Sequence, residues 1–233
     1  MNFQRILITG GAGFVGSNLA VLFRQAFPGI HCIALDNLKR RGSEFNLARL
    51  QHHGVRFVHG DVRCAEDLET LEPFDLLIDC SAEASVHAAN TANSFYVLDT
   101  NLVGTIRCLE AACRQKAAFL YLSTSRVYPI PILNSLRYTE EATRFRLEEH
   151  QDVPGASNEG IREDFPLTGP RSLYGASKLA SELLLQEYVF QYGLRGLTNR
   201  CGLLAGPWQM GKIDQGVVAL WAALHYFEQP LQY

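Results

Sequence analysis

Two rhythms of apolar residues alternate along this chain. Short segments of strand length occupy residues 5–9, 30–35, 55–59, 74–79, 118–122 and 196–200, the earlier ones rich in Ile, Leu, Val and Phe. Between them, residues 13–27, 93–115 and 173–192 read as helices; the first places Phe14, Val15, Leu19, Val21 and Leu22 at helical spacing. Apolar strands separated by helices must be covered on both faces, which predicts an α/β fold with a doubly wound parallel sheet. Ligands of such sheets gather at the carboxyl ends of the strands. Residues 129–170 interrupt the rhythm as a polar insertion before the last long helix.

The exit of the first strand is a glycine turn. Gly10, Gly13 and Gly16 give GxxGxxG spacing, and Gly11, Gly13 and Gly16 also satisfy GxGxxG. Without Cβ atoms the backbone can approach an anion, and the N–H groups and positive dipole end of the following helix face its charge. Phe14 and Val15 open that helix, so these residues are expected to hold the pyrophosphate of a dinucleotide in a Rossmann-like fold. The second strand runs into Asp36 and Asn37, twenty positions beyond Gly16, where a carboxylate can accept hydrogen bonds from an adenosine ribose. That favours NAD over NADP. Lys39, Arg40 and Arg41 form a basic loop beside it that could instead pair with a 2′-phosphate, although Asp36 would repel one.

Other strand exits supply further candidates. Asp61 and Val62 follow the third strand, where a carboxylate and a backbone N–H could hold the adenine edge. Cys80, Ser81, Ala82 and Glu83 follow the fourth, with small residues that let a cofactor lie close; Ser81 and Ala82 are assigned to the cofactor side, Glu83 and Ser85 to the substrate side. Ser123, Thr124 and Ser125 place hydroxyls after the fifth, and Cys201 follows the sixth.

Tyr174 and Lys178 stand four apart in the last long helix and so share one face. The ammonium favours ionisation of the neighbouring phenol, as does the nicotinamide cation of bound NAD⁺. A phenol so activated can take a proton from a sugar hydroxyl while hydride leaves the same carbon. Thr124 is expected to hydrogen-bond that oxygen, which makes Thr124, Tyr174 and Lys178 the candidate catalytic residues, with Tyr174 and Lys178 also touching cofactor.

Composition narrows the setting. With 233 residues, 47% hydrophobic, and a formal net charge of -3, the chain suits one globular domain and gives no sign of a nucleic-acid partner. No apolar run approaches the roughly 20 residues needed to cross a bilayer, and residues 1–30 read as cofactor fold rather than signal sequence, so no membrane partner and a cytoplasmic location are expected. Cys32, Cys64, Cys80, Cys108, Cys113 and Cys201 show no CxxC pairing and read as buried free thiols with no metal site.

Residues 9–16, Asp36-Asn37, Gly60-Asp61-Val62, Asn101-Leu102-Val103-Gly104-Thr105, Ser123 to Tyr128 and Tyr174 to Lys178 together resemble an extended short-chain dehydrogenase/reductase of the NAD-dependent epimerase/dehydratase group. The resemblance covers essentially the whole chain. It implies catalytic roles for Thr124, Tyr174 and Lys178 and a structural or cofactor-side role for Asn101.

Within the group, the loop from Asp36 to Asn46-Leu47, the segment Tyr138 to Phe145 and Asp214-Gln215-Gly216-Val217-Val218 are similar to the C2 epimerases of CDP-linked dideoxyhexoses. Dehydratases of the group usually carry Thr-Asp-Glu after strand five, where this chain has Thr124-Ser125-Arg126 and so lacks the acidic pair that eliminates water. Other departures are Leu203 where the group has an Asn that touches substrate phosphates, Ala205 in place of Tyr, and Pro129 in place of Gly. The resemblance implies a CDP-linked sugar nucleotide oxidised at C2 by bound NAD⁺, rotated as the ketone and reduced from the other face. A UDP-sugar 4-epimerase, a 4,6-dehydratase and a non-catalytic NAD-binding protein are the alternatives.

Relatives continue well past the position of Tyr233 with a smaller domain that covers the sugar nucleotide. Residues 1–233 are therefore expected to be the NAD-binding Rossmann domain with its insertion at about 129–170, the substrate-binding C-terminal part being largely absent. Val217, Val218, Leu220, Trp221 and Leu224 at helical spacing are expected to form an exposed apolar surface that invites association into a homo-oligomer.

Overall fold

The computed structural model describes residues 3–83, 94–210 and 216–231. Six strands form one parallel sheet: β1 (Arg5–Thr9), β2 (His31–Asp36), β3 (Arg56–His59), β4 (Leu76–Asp79), β5 (Ala118–Thr124) and β10 (Gly196–Cys201), in the spatial order β10-β5-β4-β1-β2-β3. β1 pairs with β2 on one side and β4 on the other, so the order reverses at β1 and opens a crevice at its carboxyl end.

The side-chain period of 2 sorts the core into two layers. Ile6, Ile8, Cys32, Ala34, Leu76 and Ile78 point to one face and pack on Ala20 and Val21 of α1 (Phe14–Ala26) and Leu50 of α2 (Asn46–His52). Leu7, Ile33, Leu35, Leu77, Phe119 and Tyr121 point to the other. There they meet Leu68 of α3 (Ala65–Glu69), Cys108 and Leu109 of α5 (Gly104–Gln115) and Leu185 of α7 (Leu173–Tyr192).

The expected helix over residues 93–115 is composite. A short α4 (Ser94–Leu98) passes into a π-helical turn, Asp99–Val103, before α5 begins. Gly104 N donates to Asp99 O, the wider i→i+5 closure of a π turn. The turn is held from outside by α7, because Asn101 O accepts from Ser181 Oγ at 3.2 Å.

β5 runs two residues beyond its expected end, so Ser123 and Thr124 belong to the strand itself. The polar insertion contains α6 (Ile130–Asn134) and two small hairpins, β6 (Tyr138–Glu140) with β7 (Phe145–Leu147) and β8 (Ala156–Ser157) with β9 (Gly160–Ile161). Its own core is Val127, Tyr128, Leu136 and Phe165, with the Tyr128 and Phe165 rings edge-on at 5.4 Å. α8 (Val217–Tyr226) buries none of its residues, and Val217, Val218 and Trp221 are exposed as expected.

All six cysteines are free, as expected, but only Cys32 and Cys108 are buried; the other four keep partial contact with solvent, where most were expected to be buried. Among the described residues no helix is long and apolar enough to cross a membrane, and none group as metal ligands.

Candidate active site

The glycine turn is tight enough to exclude side chains. Gly10 has φ +62°, Gly13 N donates to Gly10 O at 3.0 Å, and a Cβ on Gly16 would lie 2.3 Å from that same carbonyl oxygen. α1 therefore starts immediately above β1. Its N-cap, Gly13, offers no side-chain cap, and its first turn carries no acidic residue. The amino end of α1 thus keeps its dipole and unpaired N–H groups for an anion.

Asp36 closes the turn from β2. Its carboxylate accepts from Ala12 N at 3.1 Å and Leu38 N at 2.8 Å, while Asn46 Nδ2 of α2 donates to Ala12 O at 2.9 Å. Burial pushes the Asp36 carboxyl above its ordinary value, opposed by the N–H groups of Leu38, Ala12 and Gly13. Two side chains of the basic loop have partners other than this carboxylate. Lys39 Nζ sits 3.3 Å from the centroid of the Tyr96 ring, and Arg40 Nη2 donates to Met210 O at 3.0 Å.

Asp61, at the exit of β3, is tied into the wall of the crevice. It accepts from Asn37 Nδ2 at 2.8 Å and from Arg63 N at 2.9 Å, Nε at 3.0 Å and Nη2 at 2.6 Å. Burial would raise this carboxyl, but the Arg63 and Asn37 hydrogen bonds outweigh it and hold the group well below the usual carboxylate range. Arg63 also lies 5.0 Å from the Tyr96 ring, so Lys39, Tyr96 and Arg63 make a cation–π cluster at this rim. Val62 is buried and meets Gly104, whose hypothetical Cβ would be 2.7 Å from Val62 Cγ2.

Beyond β4, Ser81 is buried and bonds Asp79 through both its N–H and its hydroxyl, at 3.1 and 2.6 Å. Ala82 is half-buried. Glu83 is clamped by its backbone to the Asn101 amide, which accepts from Glu83 N at 2.8 Å and donates to Glu83 O at 3.1 Å. The same amide donates to Ser177 Oγ of α7 at 3.4 Å, so the fully buried Asn101 joins the β4 exit to α7. Ser85 lies outside the described residues.

α7 brings Tyr174 and Lys178 to the end of β5. Ser172 caps the helix, its Oγ accepting from Gly175 N at 3.1 Å. A Cβ on Gly175 would lie 2.1 Å from Arg126 O, so the first turn of α7 rests on the backbone of the turn that follows Thr124. Thr124 and Tyr174 each retain 9% of their surface, and Lys178 only 2%. Lys178 Nζ donates to Leu122 O at 2.8 Å and lies 4.5 Å from the Tyr121 ring. Desolvation disfavours its charge, but the Tyr121, Tyr174 and Asp79 oxygens outweigh that and raise the ammonium above its ordinary value. Cys201 of β10 stands opposite Thr124 in the sheet, and Ser125 and Arg126 face solvent. Leu203 is 77% exposed on the coil after β10, apart from the buried group.

A second buried network lies deeper and was not read from the sequence. Ser123 Oγ donates to Glu182 Oε1, and Glu182 receives the Arg200 guanidinium through Nε at 3.2 and 3.1 Å and Nη2 at 2.8 Å. Arg200 Nη1 also donates to Tyr128 OH at 3.4 Å and Glu163 O at 3.1 Å, joining α7 and β10 to the insertion. The Glu182 hydrogen bonds hold Arg200 above its ordinary value. The eighteen-residue separation of Glu182 and Arg200 carries no local signal, although a Glu four positions past Lys178 on the same helix face was available to find.

The NAD dependent epimerase/dehydratase family matches residues 6–229. The chain belongs to this family. Among its relatives is the CDP-paratose 2-epimerase of Salmonella typhi, 34% identical over 220 residues, which are 92% of this chain and 62% of that protein. Another is the dTDP-D-glucose 4,6-dehydratase of Dictyostelium discoideum, 30% identical over 212 residues, with 88% and 45% covered. Two similar solved structures are enzymes in complex with NAD. The Thermus thermophilus UDP-glucose 4-epimerase has a TM-score of 0.70 at 28% identity, over 98% of this chain and 64% of its own. The Bacillus anthracis dTDP-glucose 4,6-dehydratase has a TM-score of 0.72 at 25% identity, over 98% and 63%. The chain thus spans about three fifths of the length of these structures and of the Salmonella relative.

Proposed function

We propose that this family member is an NAD-dependent sugar-nucleotide epimerase acting by transient oxidation to a keto-sugar, with a CDP-linked dideoxyhexose as favoured substrate and C2 as the epimerised carbon. One observation carries the reading: a buried phenol and ammonium, Tyr174 and Lys178, on a helix whose first turn rests on the backbone beside the Thr124 hydroxyl. The dinucleotide fit rests on the side-chain-free turn and uncapped amino end of α1 facing the crevice at β1. Gly10, Gly13, Phe14, Val15 and Gly16 would hold the pyrophosphate, and Asp36 with Asn37 the adenosine ribose. Asp61 and Val62 would bound the adenine side, and Ser81, Ala82, Asn101 and Cys201 the inner wall. NAD⁺, when bound, supplies reversible two-electron oxidation of a carbinol carbon.

The chain's own residues handle the proton. Tyr174 removes it from the sugar hydroxyl and returns it on reduction, Thr124 hydrogen-bonds the sugar oxygen, and Lys178 stabilises the phenolate and would contact the ribose of bound NAD⁺. Glu83, Ser85, Ser125 and Leu203 remain the candidates for substrate contact. Relatives at similar identity are dehydratases, but Ser125 and Arg126 after Thr124 supply no acid–base pair for water elimination, which supports epimerisation. NAD is preferred to NADP because Asp36 occupies the ribose position while Lys39 and Arg40 are engaged elsewhere.

The test is incubation of the NAD-supplemented protein with CDP-, UDP- and dTDP-hexoses, with product stereochemistry read by NMR. Inversion at C2 of a CDP-sugar is expected. Inversion at C4 of a UDP-sugar would assign a 4-epimerase, and loss of water from a dTDP-sugar would overturn the reading.

A further inference from the structure

Asp79 ends β4 fully buried, and its carboxylate is surrounded by neutral donors. It accepts from Thr9 Oγ1 of β1 at 2.7 Å, from Ser81 N and Oγ at 3.1 and 2.6 Å, and from Thr105 Oγ1 of α5 at 2.9 Å. Such a set suits an acceptor-only carboxylate. A buried carboxylate solvated by neutral donors alone is costly unless a counter-charge lies near.

The sheet register supplies one. Thr9, Asp79 and Tyr121 are successive partners across β1, β4 and β5, so their side chains share the face covered by α5 and α7, with neighbouring strands about 4.8 Å apart. The Tyr121 ring lies next to Asp79 on one side and 4.5 Å below Lys178 Nζ on the other. Lys178 is nearly as deeply buried as Asp79, and its ammonium donates to the neutral Leu122 carbonyl at 2.8 Å.

The other titratable groups around Asp79 carry no competing charge. Burial raises the thiols of Cys80 beside it, Cys108 of α5 and Cys201 of β10, and the Tyr121 phenol. Glu182 of α7 is neutralised by Arg200. Tyr174 is the remaining member of the cluster.

We propose that Asp79 is a positioning residue for Lys178 of the Tyr174–Lys178 pair: it is the buried counter-charge that holds the Lys178 ammonium over Tyr121. The proposal rests on the reading of Tyr174 and Lys178 as the reacting pair. Its tests need no sugar nucleotide, so failure of that reading would show separately as absence of turnover on every sugar.

Asp79→Asn keeps the shape and removes the charge: its carbonyl oxygen can still accept from Thr9 and Ser81, and its Nδ2 can donate to the Thr105 hydroxyl. The side-chain NMR signal of the Lys178 ammonium, assigned by its loss in Lys178→Met, is titrated with and without Asp79→Asn. Removing the anion favours the neutral amine, so the Lys178 midpoint is expected to fall by about one pH unit, the scale of a nearby buried charge. A merely structural role would leave that midpoint in place, and coincident midpoints overturn the proposal. Should Asp79→Asn alone fail to fold, the same charge pair is read by urea unfolding of Lys178→Met with and without Asp79→Asn. The double variant is expected to unfold at higher urea than Lys178→Met, because the stranded carboxylate is gone. A double variant less stable than Lys178→Met overturns the proposal.

Discussion

Helices α7 and α8 are both rich in apolar residues, yet they meet the rest of the protein in opposite ways. α8 buries nothing, with Tyr226 80% exposed. α7 buries seven residues, of which Ser177, Lys178, Ser181 and Glu182 are polar or charged, while Phe190 on its outer side is 87% exposed. What separates them is the supply of partners. α7 faces a sheet end that offers the Leu122 carbonyl, the Asn101 carbonyl, the Ser123 hydroxyl and the Arg200 guanidinium, so its polar side chains are satisfied when buried. α8 has no such set among the described residues. Apolar content alone does not decide which helix face is buried when the buried face is a polar site.

The comparison can be broken most severely at the ion pair. Arg200→Leu leaves Glu182 buried and uncompensated, and denaturant unfolding should show a loss of about 3–5 kcal/mol; a loss below about 1 kcal/mol would mean that the pair behaves like a surface bridge. Next comes the seat of α7. Gly175→Ala drives a methyl group into the Arg126 carbonyl, and a loss of about 1–3 kcal/mol is expected, with turnover falling further than NAD⁺ affinity because Tyr174 moves relative to Thr124. On the other side of β1, at the end of β2, calorimetry should show NAD⁺ binding at least tenfold tighter than NADP⁺, about 1.4 kcal/mol, and Asp36→Ala should narrow that gap. Equal affinities in the parent protein would mean that the basic loop overrides the carboxylate. The smallest effect belongs to α8. Val218→Ser should change unfolding free energy by no more than about 0.5 kcal/mol, as at any exposed site, and a larger loss would show that α8 is covered in solution.

The sheet, the glycine turn and the Tyr174–Lys178 pair were legible because each depends on local spacing: apolar strands, glycines at a strand–helix turn, and residues four apart on one helix. Asp36 was legible for the same reason, as a carboxylate at a strand end. Asp79 also ends a strand, but its importance comes from Thr9, Thr105 and Lys178, which only the packed sheet brings near. The Lys39–Tyr96–Arg63 cluster and the Glu182–Arg200 bridge join different elements and leave no periodic trace. The π turn leaves no periodic trace, and the contact that braces it, from Ser181 of α7 to the Asn101 carbonyl, is tertiary. The hairpins of the insertion were missed because strands such as β6 are wholly exposed and carry no alternation.

The most direct test of the account is Tyr174→Phe, which keeps the ring and removes the proton-accepting oxygen. Turnover of the sugar nucleotide identified by NMR should fall by roughly 10² or more, the scale of a lost general base, while NAD⁺ affinity measured by calorimetry stays close to that of the parent protein. A Tyr174→Phe protein that turns over at the parent rate would contradict the assignment of α7 as the catalytic helix.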